Sequence, residues 1–253
     1  MNGQTGPPRS GAGSSSAASD RAGRVVQDLS VLAELPLFRG LTEEQLSKLS
    51  TYLHRKRYPA RTEIIRVNQP GEIAYIILEG SVKIHLDQPD GTDVILAILG
   101  AGEILGEMSL ADSLGRSATV ATLESSTFLL MDRVTFWASL KEMPTMTYNL
   151  VDILSRRLRL ANLHTQALAR LDVHGRVAAQ LLAFAYEYGE TAPNGDVLVP
   201  LRLTQGDLAS MVGASRVRVN QALSFYKRRN YLSLNHNRHI IVHDPDALRR
   251  RCS

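Results

Sequence analysis

The sequence predicts an α+β chain with an N-terminal β jelly roll, a long helix and a C-terminal winged helix-turn-helix. Three observations carry this. Residues 55–133 break into short β-branched runs separated by turn residues. From Val134 to about Arg170 the apolar spacing becomes that of a helix. Residues 203–232, LTQGDLASMVGASRVRVNQALSFYKRRNYL, hold two short amphipathic patterns joined at Gly213.

Taken in order, residues 1–24 are rich in Gly, Ser, Ala and Pro with almost no large apolar side chain, the composition of a disordered tail. A β domain with N-terminal helices spans 25–133. Leu29, Leu32, Leu35 and Phe38 mark a first helix; Leu41, Leu46, Leu49 and Leu53 mark a second, opened by Thr42 with Glu44 and Gln45. The strand runs are TEIIRV, AYIILEG, SVKIHLDQ, DVILAIL, ATVATLES and TFLLMD, with turns at Pro70-Gly71, Glu79-Gly80, Asp90-Gly91 and the glycines at 100, 102, 106 and 115. Over 134–171, Leu150, Leu154, Leu158, Ala161 and Leu168 form a near-heptad stripe flanked by Arg156, Arg157 and Arg159. Two partners are open to that stripe: the barrel itself, or a second copy in a coiled-coil homodimer. The last domain spans 172–253, with a hinge near Leu171 and Asp172. Asp172 caps a helix running through Tyr188, with Val177, Leu181, Leu182 and Ala185 inward. YLSLN and HIIVHD, joined through His236-Asn237-Arg238, form a hairpin wing.

Within the two-helix motif, Thr204 and Asp207 suit a capping box. Leu208, Met211 and Val212 face inward, Gly213 ends the helix, and Ser215 caps the next. Val219, Ala222, Leu223 and Tyr226 then form a buried stripe. The opposite side presents Arg216, Val217, Arg218, Asn220 and Gln221. Arg pairs bidentately with guanine, and Asn or Gln with adenine. Together with Thr204, Gln205 and Ser215 these residues are the candidate contacts to double-stranded DNA. Lys227, Arg228 and Arg229 stand at the helix end, where cations offset the dipole and meet phosphates. Spacing alone leaves a second reading open, a solvated helical hairpin with ordinary surface charges.

Charge is distributed to match. The chain has 253 residues and a net charge of +4, but residues 170–253 hold twelve Lys and Arg against seven Asp and Glu. The basic excess therefore lies in the half with the helix pair. The single cysteine, Cys252, excludes an internal disulfide and a cysteine-ligated cluster. No run reaches the length of a membrane span and no apolar leader opens the chain, so a cytoplasmic protein without membrane contact is expected. No nucleophile–base constellation points to an enzyme. Residues 55–133 hold one histidine, His85, too few for a metal-binding barrel, and no metal is expected.

The segment GAGEILGEMSLADSLGRSATV, residues 100–120, has the makings of a ligand site. Gly106 lets backbone approach a ligand, and amides at a helix start cradle phosphate. Arg116 can fork onto a phosphate, Ser117 adds a hydroxyl before Ala118, and Glu107 can accept from a sugar hydroxyl. From these residues alone, a structural Glu107–Arg116 ion pair is the competing account.

The ordered set EGSVKI (79–84), GEMSL (106–110), RRL (156–158), LDVHGRVAAQLL (171–182) and LTQGDLASMVGASR (203–216) resembles the cyclic-AMP receptor protein (CRP/FNR) family of bacterial transcription regulators over about residues 28–245. The resemblance implies a cyclic-nucleotide-binding barrel in which Glu107 contacts the ribose and Arg116 and Ser117 hold the cyclic phosphate. The long helix of that family gives the adenine a Thr and then a small polar residue; those places fall at Ala161 and Asn162. The family's base-reading Arg, Glu and Arg fall at Arg216, Val217 and Gln221, which implies a different operator at the inner positions of each half-site. The expected function is a homodimeric regulator that binds palindromic DNA, meets RNA polymerase and is controlled by cAMP. The alternative keeps the DNA-binding regulator but makes it independent of ligand or responsive to another small molecule.

Overall fold

The computed structural model describes residues 28–89, 92–112, 114–236 and 239–252. The tail over 1–24, the Asp90-Gly91 turn and the Asn237-Arg238 tip of the wing lie outside the described residues.

Helix α1 (Leu29–Glu34) gives way to a 3-10 turn (Pro36–Phe38), because Pro36 cannot continue an α-helix beyond its first turn. Helix α2 (Glu43–Ser50) opens on a complete Thr42–Gln45 capping box. Eight strands follow: β1 (His54–Tyr58), β2 (Glu63–Ile65), β3 (Ile73–Glu79), β4 (Val82–Asp87), β5 (Asp93–Leu99), β6 (Ile104–Leu105), β7 (Thr119–Thr122) and β8 (Ser126–Asp132), with helix α3 (Glu107–Asp112) between β6 and β7. They form two four-stranded sheets, in the orders β1-β8-β3-β6 and β2-β7-β4-β5. Ile65, Val82, Leu99 and Val120 of one sheet meet Tyr75, Ile77, Leu105 and Phe128 of the other in a shared core.

Strands β3 and β8 are buried on both faces, which explains their unbroken apolar runs. Tyr75, Ile77 and Phe128 point between the sheets. Ala74, Ile76, Leu129 and Met131 point the other way, into a second core made with the N-terminal helices and Phe136, Met143, Met146 and Ile153. Strand β1, HRKRY, is not among the strand runs expected from sequence. It is almost wholly exposed and pairs only with β8, so no apolar alternation marks it. Its basic side chains protect a sheet edge from pairing with other chains.

The helical stretch from Val134 divides into two helices, contrary to the single helix expected. Helix α4 (Arg133–Glu142) is capped by Asp132 and ends at Met143, and α5 (Pro144–Arg170) restarts with proline in its first turn. At Leu171 the chain leaves α5, and Asp172 caps α6 (Val173–Tyr188) by accepting from Gly175 N. Strands β9 (Glu190–Thr191) and β10 (Val197–Val199) lead to α7 (Gln205–Val212), α8 (Arg216–Arg228), β11 (Leu232–Leu234), β12 (Ile240–Val242) and α9 (Pro245–Arg249). The third sheet, β11-β12-β10-β9, contains the expected antiparallel wing. The core of this C-terminal domain also takes in Ile95 and Ile98 of β5 and packs α7 against that strand.

Candidate nucleotide pocket and DNA interface

Gly106 sits at φ +79°, and a β-carbon there would stand 2.1 Å from Arg116 Nη1 and 3.0 Å from Ile73 O. Only glycine permits both the turn and the approach of the arginine. The Arg116 guanidinium, 7% exposed, donates to Ile73 O (2.7 Å), Ser109 Oγ (3.0 Å) and Gly106 O (3.1 Å). All three acceptors are neutral, and burial lowers the arginine's pKa from its ordinary value. A buried cation without a carboxylate partner is costly and favours an arriving anion. The Arg116 backbone is fixed by bonds to Gln69 O and from Asn68 N, each 2.9 Å.

Glu107 begins α3 and is 6% exposed. It does not pair with Arg116. Its carboxylate accepts from Arg157 Nη1 of α5 at 2.9 Å. Burial raises the Glu107 pKa, and Arg157 offsets only part of that because Arg157 is shared. Arg157 also donates to both Glu103 Oε2 and, at 2.6 Å, Ile104 O. Ser117 is exposed and Ala118 buried beside them.

The carboxylate of Glu103 also takes Arg156, whose other donor goes to Glu187 near the end of α6. Five buried or half-buried charges thus run from the pocket to the C-terminal domain. Burial would lower the pKa of each arginine, but the carboxylates outweigh it and hold both above their ordinary values. Glu187 Oε1 has no hydrogen-bond partner among the described residues. Beside it Tyr188 packs near Gly100 of the barrel, and its hydroxyl pKa is pushed up by burial and then by Glu103. Sequence reading placed Arg156 and Arg157 as cations flanking an apolar stripe; both instead turn toward glutamates distant in sequence. Two adjacent arginines beside a pocket glutamate were the available signal. Glu103 and Glu187 carried none.

Asn162 is exposed on α5 and its side chain is not among the hydrogen-bond partners of Glu107 or Arg116, while Ala161 has only a methyl group to offer. The pocket residues Gly106, Glu107 and Arg116 therefore converge, while Asn162 does not join them in this chain alone. Among the stripe residues Leu154, Leu158 and Leu168 are 38%, 64% and 39% exposed, and Val151 extends the apolar face. The barrel does not cover it. His85 is buried in β4, its Nε2 3.4 Å from Asp87 Oδ1, while Lys83 binds Asp93 beside it.

In the C-terminal domain, the Thr204–Asp207 capping box is complete. Gly213 adopts φ +61° at the end of α7, and Ser215 caps α8. Leu208, Met211, Val212, Val219, Ala222, Leu223 and Tyr226 are buried as their spacing required. Arg216, Val217, Arg218, Asn220 and Gln221 are exposed on α8. Arg216 and Arg218 make no ion pair among the described residues. Gln205 Nε2 donates to Asn220 Oδ1 at 2.9 Å, tying the start of α7 to the outer face of α8. The α5 end is fastened to this domain through His164 Nε2 and Met211 O, 2.9 Å apart. No described helix is long and apolar enough to cross a membrane.

The family model of the cyclic nucleotide-binding domain matches residues 55–142, and that of the Crp-like helix-turn-helix domain matches residues 175–251. The chain is 33% identical over 221 residues to the CRP-like cAMP-activated global transcriptional regulator of Mycobacterium tuberculosis, covering 87% of this chain and 98% of the relative. It is 32% identical over 189 residues to the cyclic AMP receptor protein of Thermus thermophilus, covering 74% of this chain and 83% of the relative. The fold is similar to that of a CooA mutant from Carboxydothermus hydrogenoformans, with TM-score 0.70, 23% identity, and coverage of 91% and 98% of the two chains. A matched nucleotide-binding barrel and a matched DNA-binding helix pair, in one chain and in this order, make it a member of the CRP/FNR family of transcription regulators, not an enzyme.

Proposed function

We propose that this regulator acts as a homodimer on palindromic DNA under the control of a cyclic nucleotide, cAMP. The observation that carries the reading is Arg116, a buried guanidinium cradled by neutral oxygens and therefore suited to a phosphate. Arg116 and Ser117 hold the cyclic phosphate, with Gly106 and Ala118 shaping the site. Glu107 accepts a ribose hydroxyl, and Asn162 meets the base.

The exposed apolar face of α5 supports the dimer, since a second copy would bury Leu154, Leu158 and Leu168 together. Two-fold symmetry then gives two copies of α8 for two half-sites, read by Arg216, Val217, Arg218, Asn220 and Gln221. Thr204, Gln205 and Ser215 approach the backbone. RNA polymerase is the partner such a regulator meets in the cytoplasm. Coupling runs through shared arginines: a sugar hydroxyl that engages Glu107 loosens its hold on Arg157, and the Glu103–Arg156–Glu187 bonds that reach α6 readjust.

Ala161 favours a second reading, in which the regulator is active without ligand or takes another effector, because the family's threonine hydroxyl is absent there. Calorimetric titration of cAMP into the dimer, with Arg116→Leu beside it, separates the two. Micromolar binding lost in the variant supports nucleotide control. No heat with either protein, together with a ligand-free gel shift of a cognate site, establishes the second reading.

A further inference from the structure

We propose that Arg229 and Arg251, gathered on the ring of Phe225, form a clamp for the phosphates of one DNA strand. The inference rests on α8 being the DNA-reading helix. The Arg229 guanidinium carbon lies 4.7 Å from the centroid of the Phe225 ring and that of Arg251 lies 5.9 Å from it, both over the ring and within cation–π reach. Both arginines are exposed while Phe225 is half-buried against the domain core, so the ring belongs to the fold and the charges stand in water. Neither arginine makes an ion pair among the described residues, whereas the adjacent Arg249 and Arg250 are taken by Asp246 and Asp244. Arg251 has a second hold, a hydrogen bond to the Tyr226 hydroxyl, which is itself anchored on His174 O at 2.7 Å.

The pair stands where DNA backbone passes, not base edges. By helical spacing Arg218, Phe225 and Arg229 fall within about 40° of one another, along one border of the exposed face of α8 and beside the buried Ala222. Val217 and Gln221 occupy the middle of that face. A helix in the major groove turns the middle of its face to the bases and its borders to the phosphates alongside. Arg229 is also the C-cap of α8, at the end away from the residues that reach bases. Arg251 comes to the same ring from a separate element, the 3-10 turn Arg250–Cys252. Two guanidiniums drawn to one ring without a carboxylate partner make a strongly positive spot. Their forked donors match phosphate oxygens. The ring sets them in place beforehand, so less side-chain freedom is lost when a phosphate arrives.

The test is the salt dependence of binding, measured by fluorescence anisotropy on a duplex carrying the site that the full-length protein selects from a randomised library. Each neutralised phosphate contributes about 0.9 to the slope of log affinity against log salt. Arg251→Gln and Arg229→Gln each remove one contact per half-site, so each lowers the slope by about 1.8 in the dimer. Base preference stays that of the unmodified protein, since phosphates carry no sequence. Arg250→Gln removes the same charge from an arginine already paired with Asp244 and leaves the slope unchanged. Phe225→Leu keeps both charges but loses the platform, and affinity falls for every sequence alike, by roughly tenfold over two half-sites. A slope unchanged by Arg251→Gln would overturn the clamp and leave the pair to an acidic protein surface. A slope lowered as much by Arg250→Gln would overturn it too, since net charge alone would then be at work. Affinity untouched by Phe225→Leu would overturn the platform. A fall of about 0.9 in place of 1.8 would keep the clamp and overturn the dimer. Selection of no sequence by the unmodified protein, with or without cAMP, would overturn the reading helix and this inference together.

Discussion

The candidate nucleotide pocket and the candidate DNA face both depend on arginine, but they treat its charge in opposite ways. Arg116 and Arg157 are buried or half-buried and bonded to protein oxygens, Arg116 to neutral ones alone and Arg157 to the carboxylates of Glu103 and Glu107 as well. Arg216 and Arg218 are exposed and make no ion pair among the described residues. A charge inside a protein must be compensated before the chain can fold around it; a charge held in water is available to a phosphate or base edge at little cost to folding. The pocket is therefore part of the architecture, whereas the DNA face is carried by it. Substitutions in the first region should register as loss of stability, and those in the second as loss of recognition.

The sharpest way to break that contrast is Arg157→Ala. It strands Glu103 and Glu107 with one fewer cation between them, and removal of one partner from a buried ion pair costs about 3–5 kcal/mol. Urea unfolding should show a loss of that order. A change below about 1 kcal/mol, the range of solvent-exposed pairs, would mean that solvent already screens the network. Arg216→Ala is the counterpart. Its unfolding midpoint should hardly move, within about 0.5 kcal/mol as for other surface changes. Its discrimination at one base pair should fall by about 1–3 kcal/mol, measured by fluorescence anisotropy on matched and mismatched sites. Equal loss on every sequence would make Arg216 a phosphate contact instead.

A pH measurement sharpens the same comparison. Burial holds the Glu107 pKa above its ordinary 4.5, so the folded chain binds that proton more tightly than the unfolded one. Its contribution to stability is fully present below 4.5 and is lost as pH rises through the folded value. Glu107→Gln fixes the neutral form and removes that slope. The stability of the variant relative to the unmodified protein should therefore climb as pH rises across the window. A difference that stays flat would mean that Arg157 cancels the burial of the carboxylate. No comparable slope is expected from Arg216→Gln, because that side chain is exposed.

The two regions also differ in how far they could be read from sequence. The helix pair of the candidate DNA face was legible in its local structure, because caps, the glycine turn and the buried stripe are all set by spacings within one short segment. Thr204, Gly213, Ser215, Val219 and Tyr226 all stand as that local grammar required. Of the candidate pocket, the sequence pointed to the local part alone, Gly106, Glu107 and Arg116. What the pocket does with Glu107 was not legible, because Arg157 arrives from the long helix and Glu103 and Glu187 join through contacts that no periodicity encodes. Strand β1 was missed for the opposite reason: it is an exposed, basic edge with no apolar signal.

The smallest effect tests whether that local grammar has energetic content. Gly213 holds φ +61°, and a β-carbon there would meet Leu168 Cδ2 at 3.6 Å, an ordinary contact. Crowding is therefore not the reason for glycine; the left-handed backbone is. Gly213→Ala should cost about 1–2 kcal/mol, the penalty of that conformation for a residue with a side chain. Gly213→Asn should cost less, since asparagine tolerates the left-handed region better. Both variants should keep the sequence preference of the unmodified protein, because the start of α8 is set separately by the Ser215 cap. Equal unfolding midpoints for Ala and Asn would show that the turn relaxes out of the left-handed region. A shifted base preference would show that the angle between α7 and α8 depends on Gly213 itself, and that stability and recognition are not separable even at the DNA face.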